Sequence, residues 1–115
     1  MSLDLPAPAD LESLLGRLAS ARVAVIGDLC LDLYWELELA RSEKSVETGA
    51  ATLPVRQMRV SLGGAGNLCA NLKALGVGQV AAFGAVGDDA WGRELRRHLG
   101  SWGIQGEACI EPGEG

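Results

Sequence analysis

Residues 22–40 carry two strand patterns back to back, and the two demand different surroundings. Arg22 to Gly27 reads RVAVIG, four consecutive apolar residues ending in Gly. Such a run suits a strand buried on both faces, as in a parallel sheet. Asp28 to Ala40 follows as DLCLDLYWELELA. Here Leu31, Leu33, Trp35, Leu37 and Leu39 alternate with Asp32, Tyr34, Glu36 and Glu38. Strict period two predicts a strand with one wet face. The chain therefore leaves a buried sheet and enters a half-exposed one.

The rest of the chain fits that switch. Leu11, Leu14, Leu15 and Leu18 recur at i, i+3, i+4, i+7 and predict an amphipathic helix ending near Ser20, with Pro8 as a leading break and Asp10 as N-cap. Arg41 to Ala51 is polar with a Gly, the composition of a loop. Leu53 to Val60 (LPVRQMRV) reads as a second half-exposed strand. Its apolar phase slips between Val55 and Met58, which predicts a bulge or bend, and Pro54 suits an edge. Gly63-Gly-Ala-Gly-Asn67 opens a helix carrying Leu68, Leu72 and Leu75, stopped by Gly76. Gln79 to Val86 is another buried-type strand. Gly87-Asp88-Asp89 supplies a turn and an N-cap for a helix marked by Trp91, Leu95, Leu99 and Trp102 and ended by Gly103. Glu107 to Ile110 begins one more strand.

Buried strands alternating with helices predict an α/β fold: a parallel sheet with flanking helices and right-handed crossovers. Residues 31–60 are expected to form a small two-stranded antiparallel β flap, and residues 1–21 a helical extension to a domain over 22–115. The length of 115 residues fits one small domain or one piece of a larger one.

Composition removes several function classes. The formal net charge is −5 and aromatics make up 4%, a poor basis for gripping nucleic-acid phosphates. No apolar run approaches the ~18 residues of a membrane span. The N-terminus has no basic stretch before an apolar one, so it does not read as a secretory signal, and cytoplasm is the expected location. Cys30, Cys69 and Cys109 are odd in number and widely spaced, which predicts free, mostly buried thiols. The single histidine, His98, is expected to face solvent on its helix, and no ligand set has zinc spacing.

Two features can carry chemistry. Glycines at a helix start let a ligand approach backbone N–H groups, and the helix dipole favours oxygen-rich or anionic ligands there. A tight turn with close helix–sheet packing explains the same glycines equally well. The run at 63–67 is neither of two familiar phosphate loops. A dinucleotide fingerprint has Gly where Cys69 stands, and a P-loop lysine would lie nearer the helix start than Lys73. The second feature is Asp28 with Asp32, just after the first buried strand, where ligands gather in open α/β sheets. Their carboxylates can accept hydrogen bonds from ligand hydroxyls; a turn Asp and a solvated-face Asp are the structural alternatives. Asp88 and Asp89 are better read as helix-capping residues than as an acid pair.

Together these residues resemble the ribokinase-like, phosphofructokinase-B type carbohydrate kinases. VIGDLCLDLYW at Val25–Trp35 is similar to that family's first strand and the start of its lid. LGGAGNLCANLKALG at Leu62–Gly76 is similar to its first signature, a Gly-Gly pair, an Asn and a later Gly. AVGDDAWGREL at Ala85–Leu95 is similar to the G-D-D-x-x-G stretch that follows. GDLCLDLYW is nearest in look to the heptose-phosphate kinase branch, although RSEKSVETGAATLPV lacks that branch's Pro-rich lid sequence. Cys69 stands where the signature prefers Ser, Thr or Ala.

The resemblance implies transfer of the ATP γ-phosphoryl group to a hydroxyl of a sugar or sugar phosphate, with Mg²⁺. It implies substrate binding by Asp32 and Asn67, close sugar approach at Gly63 and Gly64, and a weaker contribution from Asp28. It also implies a homodimer formed through the lid. The family's catalytic base and ATP site belong to a G-A-G-D motif that these residues do not contain, so no catalytic or metal-binding residue is assigned. The chain is expected to be the N-terminal, sugar-binding half of such a kinase. The rival expectation is a non-catalytic sugar-binding or dimerisation module.

Overall fold

The computed structural model describes residues 7–106. The element order is α1 (Pro8–Leu18), β1 (Arg22–Ile26), β2 (Leu29–Leu37), a 3-10 turn (Leu39–Arg41), β3 (Glu43–Lys44), β4 (Ala51–Thr52), β5 (Val55–Gly63), α2 (Gly64–Ala74), β6 (Gln79–Phe83) and α3 (Ala90–Ser101). Two compact units result: the described residues up to Leu31 with those from Leu62 onward, and Asp32–Ser61.

In the larger unit β1 and β6 pair in parallel, from Arg22↔Gln79 to Ile26↔Phe83. Parallel neighbours need a long crossover, and the chain between them supplies one that ends in α2. A second crossover, through α3, brings Gln105 beside β6. The Ala82 N–H donates to the Gln105 carbonyl at 2.8 Å, and the Gln105 N–H donates to the Val80 carbonyl at 2.9 Å. The α/β architecture with helix-linked parallel strands is thus as the sequence predicts. The strand expected at Glu107–Ile110 lies outside the described residues.

Among the described residues the sheet is covered on one face, not two. Val25, Val80 and Ala82 join Cys69, Ala70, Leu95 and Leu99 in a single core cluster. On the opposite face Ile26 is 83% exposed, and Arg22, Ala24, Gln79, Ala81, Phe83 and Gln105 line an open trough. The unbroken apolar run of β1 therefore corrects to a strand buried on one side within this chain. Its composition still matches a two-sided environment.

α2 approaches the sheet through its small residues. Gly66, Cys69 and Ala70 are buried, whereas Leu68 and Leu75 of the leucine stripe are exposed and only Leu72 packs against the core. Thin side chains at i, i+3, i+4 let a helix axis lie close to its partner, so hydrophobic size alone misidentifies the inner face. In α3, Gly92, Leu95 and Leu99 are buried. Asp89 caps this helix as expected, its Oδ1 accepting from the Gly92 N–H at 2.7 Å. A Cβ on Gly92 would collide with the Gly87 carbonyl. The last glycine of the G-D-D-x-x-G stretch is thus required by the close approach of the Gly87 carbonyl, whereas Gly87 itself has room for a Cβ.

Three expectations change. Pro8 is not a break before α1 but lies in its first turn, with Ala7 as N-cap and Asp10 inside that turn. Proline's fixed φ suits that position, where its missing N–H has no partner to lose. Cys69 is a buried free thiol, but Cys30 is exposed, and Cys109 lies outside the described residues. His98 is half-buried rather than facing solvent, and Glu94 Oε1 lies 3.1 Å from its Nε2.

In the smaller unit, β2 and β5 form the two-stranded sheet that the alternating patterns predict. The stretch expected to be a loop also holds secondary structure. β3 and β4 pair antiparallel, Glu43↔Thr52 and Lys44↔Ala51, closed by a hydrogen bond from the Ser45 N–H to the Ala50 carbonyl at 2.8 Å. Thr52 reinforces the pair by donating its hydroxyl to the Glu43 carbonyl at 2.8 Å.

Candidate functional site

β1 ends at Ile26, and Asp28 lies in the turn that follows. This turn is stitched to the start of α2. Leu29 bridges Gly64 in antiparallel fashion, and the Ala65 N–H donates to the Asp28 carbonyl at 2.8 Å. Gly64 makes the stitch possible. Its φ is +54°, and a Cβ there would lie 2.5 Å from the Asp28 carbonyl oxygen and 3.3 Å from Cys30 Sγ. In this structure it is therefore the chain's own backbone that comes close to Gly64. Gly63 is buried and extended, with φ −111° and ψ 172°.

Asn67 stands in the first turn of α2 and is exposed, as is Asp28. The side chains of both lack hydrogen-bond and ion-pair partners among the described residues. Asp28, Gly63, Gly64 and Asn67 thus belong to one small neighbourhood. It lies beyond the carboxyl end of a parallel strand and against a helix N-terminus. A carboxylate acceptor and an amide, which both donates and accepts, match the hydroxyls of a polyol.

Asp32 is the first residue of the smaller unit and is exposed. By period two it shares a β2 face with Tyr34 and Glu36. Arg59 of β5 comes to the same face: its Nε lies 3.3 Å from Glu36 Oε1, and its guanidinium carbon stands 5.5 Å from the centroid of the Tyr34 ring. No motif marks Arg59. The signal for it is the row of acids on β2, which calls for a cation on the paired strand. The opposite, apolar phase of β2, with Leu33, Trp35 and Leu37, is also exposed.

The family profile of the pfkB carbohydrate kinases matches residues 20–114. The chain belongs to that family. It is 38% identical over 101 residues to the bifunctional protein HldE of Rhodopseudomonas palustris, covering 88% of this chain and 19% of that protein. It is 39% identical over 89 residues to a D-beta-D-heptose 7-phosphate kinase of Bordetella bronchiseptica, covering 77% of this chain and 28% of that protein. The chain therefore spans well under a third of these relatives. Among solved structures it resembles the fructokinase of Halothermothrix orenii, with a TM-score of 0.54, 23% identity and coverage of 82% of this chain and 30% of that one. It also resembles a sugar kinase of Pyrococcus horikoshii in complex with ATP, with a TM-score of 0.53, 23% identity and coverage of 79% and 26%. These likenesses establish the ribokinase-like fold.

The described residues include no group of three or more His, Cys, Asp or Glu able to hold a metal ion. No described helix is long and apolar enough to cross a membrane.

Proposed function

We propose that this chain is the sugar-side segment of an ATP-dependent carbohydrate kinase that phosphorylates a hydroxyl of a sugar or sugar phosphate in the cytoplasm. The observation that carries the reading is the stitch between the β1 turn and the start of α2. It holds the Asp28 and Asn67 side chains, both without partners among the described residues, beyond the carboxyl end of a parallel strand, where α/β sheets bind ligands. Asp32 accepts hydrogen bonds from sugar hydroxyls, and Asn67 donates to and accepts from them. Asp28 plays a lesser part, and the extended Gly63 and the positive-φ Gly64 keep the backbone bare of side chains beside them. Phosphoryl transfer depends mainly on positioning, so residues that fix the acceptor hydroxyl contribute to rate as well as affinity. ATP is the phosphoryl donor in this reading. The named relatives make a heptose phosphate the first substrate to try.

The test is ATP-dependent sugar phosphorylation by the polypeptide carrying this segment, with Asp32→Ala and Asn67→Ala beside the parent. Each variant is expected to lose about tenfold or more in kcat/KM, the scale of a charge-assisted or substrate hydrogen bond. Unchanged kinetics across a sugar panel would contradict the assignment.

The second reading is a non-catalytic sugar-binding or dimerisation module. The exposed Leu33, Trp35 and Leu37 on one phase of β2, with Trp35 62% exposed, favour a homodimer through this unit under either reading. A Trp35→Ser protein that sediments as the parent does would count against that interface.

A further inference from the structure

We infer that Gly27 and Gly84, which follow β1 and β6, are positioning residues for the sugar site, because together they fix how Asp28 leaves the backbone. This rests on the kinase reading above and adds to it the residues that aim one of its carboxylates. The last pair in the parallel register is Ile26↔Phe83, so Gly27 and Gly84 stand next in line at the carboxyl end of the sheet. The Gly27 N–H donates to the Phe83 carbonyl at 3.1 Å. A Cβ on Gly84 would lie 2.6 Å from the Gly27 carbonyl oxygen and 3.1 Å from Cγ and Cδ1 of Leu29. A Cβ on Gly27 would lie 3.3 Å from that of Ala65. Neither glycine has a positive φ, so space, not backbone conformation, excludes side chains here.

The consequence falls on Asp28. Its Cα lies between two peptide planes, one carrying the Gly27 carbonyl and the other its own. The first plane is pressed against Gly84. The second is held from α2, where the Ala65 N–H donates to the Asp28 carbonyl at 2.8 Å. Peptide planes are rigid, so placing both sets φ and ψ of Asp28 and with them the direction of its Cα–Cβ bond. The Asp28 side chain is exposed and has no partner among the described residues, so the backbone, not packing, aims it. A loop that only joined β1 to β2 could leave both carbonyls to water. A carboxylate aimed beforehand binds with a smaller ordering cost, and a displacement of about 1 Å at such a group can cost roughly 100-fold in rate.

The experiment is a double-mutant cycle on kcat/KM for a heptose 7-phosphate, or for whichever sugar the parent phosphorylates best. It uses the ATP-dependent assay and the polypeptide carrying this segment, at a temperature where circular dichroism shows the variants folded. Asp28→Ala is expected to lower kcat/KM by about fivefold or more, and Gly84→Ala, which forces the Gly27 carbonyl to retreat, by a similar factor, with the KM for ATP within about twofold of the parent. Gly27→Ala presses on the same turn more mildly, from the α2 side, and should lose about threefold. In the Asp28→Ala background each glycine change should cost no more than about 1.5-fold further, because the group it aims is gone. Gly100→Ala, where a Cβ meets nothing within 4 Å, should match its parent in either background. Losses that multiply with that of Asp28→Ala, or folded glycine variants with parent kinetics, would overturn the inference and leave the pair as packing residues. Where Gly84→Ala does not fold, the Gly27→Ala cycle decides by the same two criteria. A parent protein that phosphorylates no sugar would overturn the kinase reading itself, and this inference with it. Losses on Asp32→Ala and Asn67→Ala with none on Asp28→Ala would sink this inference alone.

Discussion

Gly64 and Gly92 show what the two conserved-looking glycine patterns accomplish in physical terms. Each removes a Cβ that would strike a carbonyl of the same chain, that of Asp28 for Gly64 and that of Gly87 for Gly92. Gly64 also holds φ at +54°, where an L side chain is strained. Gly64→Ala therefore meets two penalties, and we expect a loss of about 1–3 kcal/mol in urea unfolding, from strain and the displaced turn. Gly63→Ala meets no φ penalty, since Gly63 is already extended. A Gly64→Ala protein as stable as the parent would mean that the stitch to Asp28 contributes nothing. The glycines themselves could be read from the sequence, but their partners could not. A Gly-Gly pair at a helix start predicts close approach without saying whether a ligand or the backbone approaches. Arg59 shows the converse limit. Nothing in LPVRQMRV separates it from Arg56, and only its placement beside Tyr34 and Glu36 does so.

At the scale of elements, helix α3 joins a legible start to a hidden charge cluster. Its Asp89 cap follows from an acid directly before an apolar-periodic run, a purely local signal. The ion pairs along its surface are equally local, but they depend on rotamers. Arg97 reaches both oxygens of Glu94, at 2.6 and 2.9 Å, and holds its carboxyl down to about 2 from an ordinary 4.5. The folded pKa is below the unfolded one, so this contribution is complete above about pH 4.5 and is lost as pH falls toward 2. The pair is solvent-exposed, so added salt should shrink the effect. Glu94→Gln should flatten the acid limb of the stability–pH curve in that window, as followed by thermal unfolding. An unchanged acid limb would show that Arg97 does not hold Glu94 in solution. The faces of elements were harder to read than their existence. In α2 two of the three stripe leucines, Leu68 and Leu75, pointed to the wrong side, because close packing selects Gly66, Cys69 and Ala70. The β3–β4 hairpin rests on two residue pairs, too few for a periodic pattern to register.

For the whole molecule, the main consequence is a one-sided core. The parallel α/β class was legible because VAVIG at 23–27 and VAAFGAV at 80–86 are apolar throughout and are separated by helical periodicity. That same run predicted cover on both faces, and among the described residues only one face has it. The difference lies in what else packs on the sheet, which no local pattern records. The two faces should respond differently to substitution. Leu99, 1% exposed, should cost about 2–5 kcal/mol as Leu99→Ala. Ile26, on the bare face, should change stability by less than about 0.5 kcal/mol as Ile26→Ser. Comparable losses at both positions would show that the second face is covered in solution.

An amide-resolved nuclear magnetic resonance titration of this chain with a heptose 7-phosphate and with neutral sugars asks directly whether these residues bind the sugar. Shifts are expected to gather at residues 27–32 and 63–67, and Asp32→Ala to abolish them. No shift with any sugar, or shifts gathered elsewhere and unaffected by Asp32→Ala, would contradict it.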